Sequence, residues 1–559
     1  MSATPPSTSH SSQPHSSQPR PRAPRSIQPR VFYPAAALVL AFVVLAAAAP
    51  TWLKEQLDRA NTGIVNGLGW YYVLIVTGFV GFALYVAFSR YGDIRLGKDG
   101  DTAEYGLLSW FAMLFAAGMG IGLVFCGVAE PLNHLASPAP GTHVDTPDVL
   151  AQNAMNTTFL HWGLHAWAIY VVIGLAVAYA VHRKGRSVSL RWMLEPLFGS
   201  RVRGWVGDVI DIVAIVGTLF GVATSLGFGV TQLGSGLDFL GIVDENIWLF
   251  IGLIAAITLV ATASVMSGLD VGIKWLSTGN IILAGVLVIA ILVLGPSLFV
   301  LREFVQSVGS YLANFLQLSF RTMPYQGEAG EGWLGGWTTY YWGWWMSWSP
   351  FVGIFIARIS RGRTVREFVL GVLAVPTLVT FLWFSVLGGT AIWQQLYGSG
   401  DLIADDGSVS TTTALFQMLQ HLPGGPVLTG LFLLLLVVFF VTSSDSASFV
   451  VDMVASGGNP NPPVVTRVFW ALLEGAIAAV LLYVGWASGG TVTDGLSALQ
   501  TMSILVAAPF SVIMVLTVFA TLKSLHAEHQ RRLRIEEQTL FKDVEETALV
   551  AAQWANGAE

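Results

Sequence analysis

Charge and cysteine are what this chain has least of. Charged residues fill 11% of its 559 positions, against about 25% in a soluble domain. With 54% hydrophobic residues and a mean hydropathy of +0.64, the apolar runs exceed what one core can hide, so they face lipid. The formal charge of −6 matters less in such a chain than where the charges sit. The single cysteine, Cys126, excludes an intrachain disulfide, and inside an apolar run it reads as a small packed hydrophobe. There is no Cys-x-x-Cys pair, His/Cys cluster or Gly-x-x-x-x-Gly-Lys loop. These absences speak against metal, redox and nucleotide chemistry together, so no cofactor, nucleic-acid partner or enzymatic activity is expected. Residues 1–30 are short of apolar side chains and predict a disordered tail. The stretch is too long for a secretory leader, and the next apolar run is a full span.

Twelve runs reach spanning length: 31–49, 70–89, 106–128, 159–182, 206–233, 247–266, 279–294, 337–359, 369–396, 427–454, 468–487 and 499–522. Each is long enough to cross roughly 30 Å of hydrocarbon as a helix. If both termini lie in the cytoplasm, every one of the 28 Lys and Arg residues except Lys54, Arg59, Arg302 and Arg321 falls on that side. The positive-inside rule demands such a split, and a wrong span count would scramble it. Residues 296–319 mix Arg302, Glu303 and Gln306 with Leu, Phe and Val, which predicts an amphipathic helix on the outer surface. The last 37 positions predict a cytoplasmic helix.

Two spans carry signs of interruption. The third holds Gly118, Gly120 and Gly122, alternate glycines that weaken helix and bare the backbone. The eighth holds Ser349, Pro350 and Gly353. Irregular backbone at membrane depth is tolerated where it is buried or lines a cavity. A pair of interrupted spans, each opening a five-span block, points to an inverted-repeat transporter; close helix packing is the plainer alternative. The layout expected is a tail (1–30), two peripheral transmembrane helices (31–105), a first five-helix repeat (106–295), a surface helix and loop (296–336), a second repeat (337–522) and a C-terminal helix or tail (523–559).

Tryptophan is dense, 20 in all. At 100° per residue, Tyr341, Trp344, Trp345 and Trp348 share an arc of about 100°, and Trp162, Trp167 and Tyr170 fall within about 140°. Membrane tryptophans ordinarily gather at the interfaces; Trp345 and Trp348 stand near mid-depth. A rigid aromatic box without a nearby fixed anion suits a cation that donates no hydrogen bond, such as trimethylammonium. Trp342 points away and reads as packing. Thr442 and Ser443 with freed carbonyls suit a dehydrated Na⁺, which takes oxygen ligands, unless the hydroxyls only bond back along their helix. Asp445 is an intramembrane ionisable candidate. Glu130, Asp211 and Glu474 sit nearer span ends and read as structural pairs, and His161 and His165 as hydrogen-bonded core histidines.

Five stretches together resemble the betaine/carnitine/choline transporter family: 118–132 (GMGIGLVFCGVAEPL), 161–170 (HWGLHAWAIY), 268–277 (GLDVGIKWLS), 342–367 with its SWSPFVGIFIARISRGRTVREF, and 440–446 (FVTSSDS). The resemblance implies a leucine-transporter-like fold, five plus five inverted helices after two extra ones, and a homotrimer. It implies that Trp162, Trp167, Tyr170 and Trp345 enclose an ammonium beside Trp344 and Trp348, with the unwound backbone at Gly118, Met119, Gly120 and Gly122 toward the carboxylate. One sodium would take the Ala116, Met119 and Phe439 carbonyls and the Thr442 and Ser443 hydroxyls. A second would lie near Thr218 and Phe351, although the family's next threonine is Val222 here. Gly122 resembles the betaine and sodium version, since choline carriers of the family have an aspartate there. The tails depart from those of osmosensing members.

The expectation is thus a polytopic, all-α carrier in the bacterial inner membrane, importing glycine betaine or a similar quaternary-ammonium solute on a sodium gradient. Choline, carnitine or ectoine, with proton coupling or exchange, is the alternative within the fold. A membrane enzyme lacks an acid/base pair or metal set at workable spacing, and a channel would show repeated pore-lining rings.

Overall fold

Helix follows helix in the computed structural model, which describes residues 27–118, 120–142, 146–267 and 270–556. The expected disordered tail therefore lies almost wholly outside the described residues. Helices α1 (Pro29–Ala48) and α2 (Pro50–Phe88) come first, each started by a proline whose missing N–H costs nothing in a first turn. Next are α3 (Leu107–Gly118), α4 (Ile121–Ala136), α5 (Pro147–Trp162) and α6 (Leu164–Ala178), the last continuing into a π-helical turn, Tyr179–Arg183. After the short α7 (Glu195–Phe198) come α8 (Trp205–Phe239), α9 (Ile247–Ser267) and α10 (Asp270–Leu294). Helices α11 (Ser297–Ala313) and α12 (Phe315–Ser319) lead to α13 (Gly327–Leu334), which passes through a π-helical turn, Gly335–Thr339, into α14 (Tyr340–Ile359). Then follow α15 (Val365–Tyr397), α16 (Ala414–Gln420), α17 (Gly425–Ala455), α18 (Val464–Gly489) and α19 (Val492–Asn556).

Among the described residues, ten helical segments are long and apolar enough to cross a membrane. The interrupted α3–α4 and the Trp- and Tyr-rich α14 make up the other two predicted spans. Lipid-facing surface is legible as stripes: α10 exposes Ile282, Val286, Ile289 and Val293, one helical face at spacings of four and three. Helix α14 is the opposite case. Its side chains are buried nearly all round, as for the central element of a bundle.

The third span breaks where the glycines predict. Helix α3 ends at Gly118, and Gly120 is extended (φ −155°, ψ −154°) before α4 begins. The fourth span breaks too, at Gly163 (φ −97°, ψ −135°), which its sequence did not announce.

The second predicted interruption is overturned. Helix α14 runs unbroken through Pro350. Proline removes the donor that the Met346 carbonyl would have received, and the Ser349 hydroxyl supplies one instead, 2.8 Å from that carbonyl. Gly353 is a packing residue: a Cβ there would lie 3.1 Å from the backbone nitrogen of Gly174, and one at Gly174 would lie 3.4 Å from the Gly353 carbonyl. The two glycines let α6 and α14 meet backbone to backbone, the small-residue contact weighed above as the plainer alternative. The loop expected before the eighth span is helical from Gly327 onward, and the C-terminal helix is one piece with the twelfth span. Helix α15 begins at a capping box, with Thr364 Oγ1 accepting from the Glu367 N–H at 3.1 Å and Glu367 Oε2 from the Thr364 N–H at 2.9 Å.

Candidate functional site

Two breaks and one unbroken helix build the site. Ending α5 at Trp162 frees the His161 carbonyl from its intrahelical partner. The Trp345 indole on α14 donates to it at 2.9 Å, which docks α14 on the α5–α6 break. Trp162 and Trp345 stand 4.9 Å apart between ring centroids, edge to face at 70°. Trp344 stacks on Trp345 at 4.7 Å and 13° and meets Trp162 edge-on at 6.1 Å. Tyr341 closes one side, 5.6 Å from Trp162 and 5.8 Å from Trp345. Tyr170 lies 6.4 Å from Trp345, with Trp167 5.4 Å behind it. The structure therefore brings together Trp162, Trp167, Tyr170, Trp344 and Trp345, expected from two distant stretches of sequence. Phe228 and Phe384 buttress the cluster, 5.3 Å from Trp344 and 5.2 Å from Trp162. Trp348 is offset toward Phe351 at 5.8 Å. Trp342 stacks on His165 instead, at 5.3 Å and 18°.

The indole N–H groups of Trp344 and Trp348 are buried without a hydrogen-bond partner. Buried polar groups are seldom left so. Both rings border the glycine break through their benzo edges: a Cβ on Gly122 would meet Trp344 Cη2, and one on Gly120 would stand 3.8 Å from Trp348 Cη2.

The expectation of a box without a nearby fixed anion is overturned. Glu130, 1% exposed, sits directly behind it. Its Oε2 accepts from Trp162 Nε1 at 2.6 Å and from the Tyr341 hydroxyl at 2.5 Å, and its Oε1 lies 2.8 Å from His161 Nδ1. The ring's other nitrogen pairs with Thr338 Oγ1 at 3.1 Å. Glu130 thus holds two walls of the box and lends its charge to them. Gly122, Cys126, Glu130 and His134 recur every fourth position of α4 and form one stripe. That spacing was the signal that could have promoted Glu130. His161 is the hydrogen-bonded core histidine expected, whereas neither nitrogen of His165 has a hydrogen-bond partner.

The residues expected around sodium are placed as follows. Met119 lies outside the described residues, as do the side chains of Ala116 and Gly118. Ser443 on α17 reaches the break, its Oγ 4.0 Å from where a Gly120 Cβ would stand. Phe439, one turn earlier, is buried. The Thr442 hydroxyl donates to the Val438 carbonyl at 2.8 Å, bonding back along its own helix. Thr218 does the same to Ala214 at 2.8 Å. Thr218 and Phe351 each lie within a turn of the point where α8 and α14 cross, Gly221 against Ser347. Of the other acidic groups, Asp211 pairs with Arg191 at 2.6 Å, and Glu474 accepts from Ser444 at 3.1 Å.

Spanning helices around a buried aromatic box at a helix break suit a membrane transport protein. The comparison with known families agrees: the profile of the betaine/carnitine/choline family transporters (BCCT) matches residues 30–530, and the chain belongs to that family. An uncharacterized transporter of Mycobacterium tuberculosis is 51% identical, over 88% of this chain and 81% of its own. The glycine betaine transporter OpuD of Bacillus subtilis is 44% identical over 90% and 95%. Glycine betaine transporter 1 of Vibrio parahaemolyticus is 42% identical over 88% and 92%.

Proposed function

We propose that this protein is a secondary active symporter that imports glycine betaine, or a closely similar quaternary-ammonium solute, on a sodium gradient by alternating access. The observation that carries this reading is the box itself. Trp162, Trp344, Trp345 and Tyr341 bring their aromatic faces into one buried cluster, with ring centroids 4.7–6.2 Å apart, Trp344 stacked on Trp345 and Trp162 edge-on to both. A methylated ammonium, with a diffuse charge and no hydrogen to donate, gains ~0.5–2 kcal/mol from each such face as it is desolvated. The unpartnered Trp344 and Trp348 N–H groups suit the carboxylate end of a zwitterion. Gly122 and the names of the OpuD and Vibrio relatives favour betaine over choline. For the coupling ion, the approach of Ser443 to the Gly120 break, next to Thr442 and the Phe439 carbonyl, supports sodium. Both termini in the cytoplasm follow from the arginine distribution, and a homotrimer surrounded by lipid from the family.

The test is uptake of labelled glycine betaine by proteoliposomes, with and without an inward sodium gradient. Accumulation should require sodium, and Trp345→Leu should lower kcat/KM at least tenfold. Transport of choline or ectoine on a proton gradient, with no sodium-driven betaine uptake, would overturn substrate and ion together.

A further inference from the structure

The α4 stripe does not stop at the box. One turn past Glu130, His134 is 2% exposed, and neither of its ring nitrogens has a hydrogen-bond partner. Its Nε2 is 3.4 Å from Glu130 Oε1, the oxygen that also faces His161 Nδ1 at 2.8 Å. The three ligand atoms lie within 4.8 Å of one another. We propose that Glu130, His134 and His161 form a binding site for a divalent transition-metal ion, with Zn²⁺ as the natural probe, on the α13 side of the aromatic box.

Two imidazoles and a carboxylate are a donor set for zinc and its neighbours. Bonds of ~2.0–2.1 Å in a tetrahedron put ligand atoms about 3.3 Å apart. The Glu130–His134 edge, at 3.4 Å, already has that length; an ion opens the 2.8 Å Glu130–His161 contact and draws on two imidazoles whose ligand atoms stand within 4.8 Å. The two carboxylate oxygens have separate tasks: Oε1 faces the histidines while Oε2 keeps its bonds to Trp162 and Tyr341. His161 Nε2, held by Thr338, leaves Nδ1 as the coordinating atom, the outer-shell partner that usually orients a ligating histidine. Trp337 and Trp333 cover His134 at 4.3 and 5.7 Å. An ion here pulls on the carboxylate that positions two walls of the box and therefore slows transport. This consequence rests on the proposed function; the binding does not.

The experiment uses full-length protein without a histidine tag, dialysed against Zn²⁺, with bound metal counted by mass spectrometry and ligands read from zinc K-edge absorption. One zinc per chain with a two-imidazole signature is expected. His134→Gln should weaken it at least tenfold, since the loss of an outer-shell partner alone typically costs that much. In proteoliposomes, zinc should slow betaine uptake by the parent protein and spare His134→Gln, whose uptake without zinc stays within twofold. Zinc bound as expected with no betaine uptake would leave the site standing and defeat the transport reading alone. The proposal is overturned if no equivalent binds, if the absorption edge shows no imidazole pair, or if binding survives His134→Gln and disappears only with His421→Ala, at the exposed His421–Asp401 pair 3.0 Å apart.

Discussion

A Cβ built on Gly122 would stand 2.7 Å from Trp344 Cη2 and 2.9 Å from Trp162 Cη2. Neither ring has room to yield: Trp344 is stacked on Trp345 and flanked by Phe228, and Trp162 is tied to Glu130. Gly120, two residues earlier, offers a control, because its Cβ would meet only Trp348 at 3.8 Å and Ser443 at 4.0 Å, ordinary contact distances. Overpacking costs ~1–3 kcal/mol, roughly one to two decades in an equilibrium constant. Gly122→Ala should therefore raise the KM for betaine at least tenfold and Gly120→Ala less than threefold, measured as proteoliposome uptake. Equal effects would mean that backbone freedom, not space, explains the glycine at 122. The break at Gly163 puts Trp162 on a different helix from Trp167 and Tyr170, whereas Tyr341, Trp344, Trp345 and Trp348 were legible in the sequence because they lie on one helix and periodicity sorts them. Glu130 and His161 were not, because they are 31 positions apart and only the packing of α4 against α5 shows that one carboxylate serves both a histidine pair and the box.

At the scale of elements, what could be read was decided by how many residues shared a signal. Twelve apolar runs and a one-sided distribution of arginine gave the spans. Three glycines in five positions gave the break between α3 and α4. One glycine in an apolar stretch, Gly163, gave nothing, although a Cβ there would lie 2.8 Å from the Phe381 ring and the break it permits frees the carbonyl that anchors Trp345. Pro350 misled for a local reason: the Ser349 hydroxyl repairs the hydrogen bond that the proline removes. A buried carbonyl left without a partner costs ~1–3 kcal/mol. Ser349→Ala should lower the thermal midpoint of the detergent-purified protein, and adding Pro350→Ala, which returns a backbone N–H, should recover most of the loss. If the double variant is no more stable than Ser349→Ala alone, the repair account of α14 fails.

The whole molecule is closed at its arginine-rich face by the long α19, which leaves the bundle as an exposed helix. Before it leaves, Glu528, 1% exposed, accepts from Arg183 at 2.7 and 3.2 Å, Lys184 at 3.2 Å, Tyr179 at 3.3 Å and Arg531 at 2.9 Å. Asp99, on the loop after α2, bridges Arg183 at 2.5 Å and Arg531 at 3.3 Å. The Arg532 guanidinium reaches the Asp93 carbonyl at 3.0 Å. Three cations gathered by two carboxylates, with Arg532 on a backbone carbonyl, make the segment 523–534 part of the folded body rather than of the tail. Removing one buried partner leaves the others uncompensated, so Glu528→Gln should speed amide hydrogen exchange across 523–534 at least tenfold and leave α14 protected. Asp99 adds a pH dependence whose sign is set. The Arg183 hydrogen bond holds its carboxyl below the usual 3.8, and a carboxylate lowered on folding stabilises above its unfolded value and stops doing so as the pH falls through the folded one. Because Asp99 is 70% exposed, solvent screens the pair and the effect is small. Exchange in 523–534, corrected for intrinsic rates, should be flat from pH 7 to pH 5 and rise only below pH 3.8. Unchanged exchange in Glu528→Gln would mean that the continuity of α19 alone holds the segment and that the ion cluster contributes nothing.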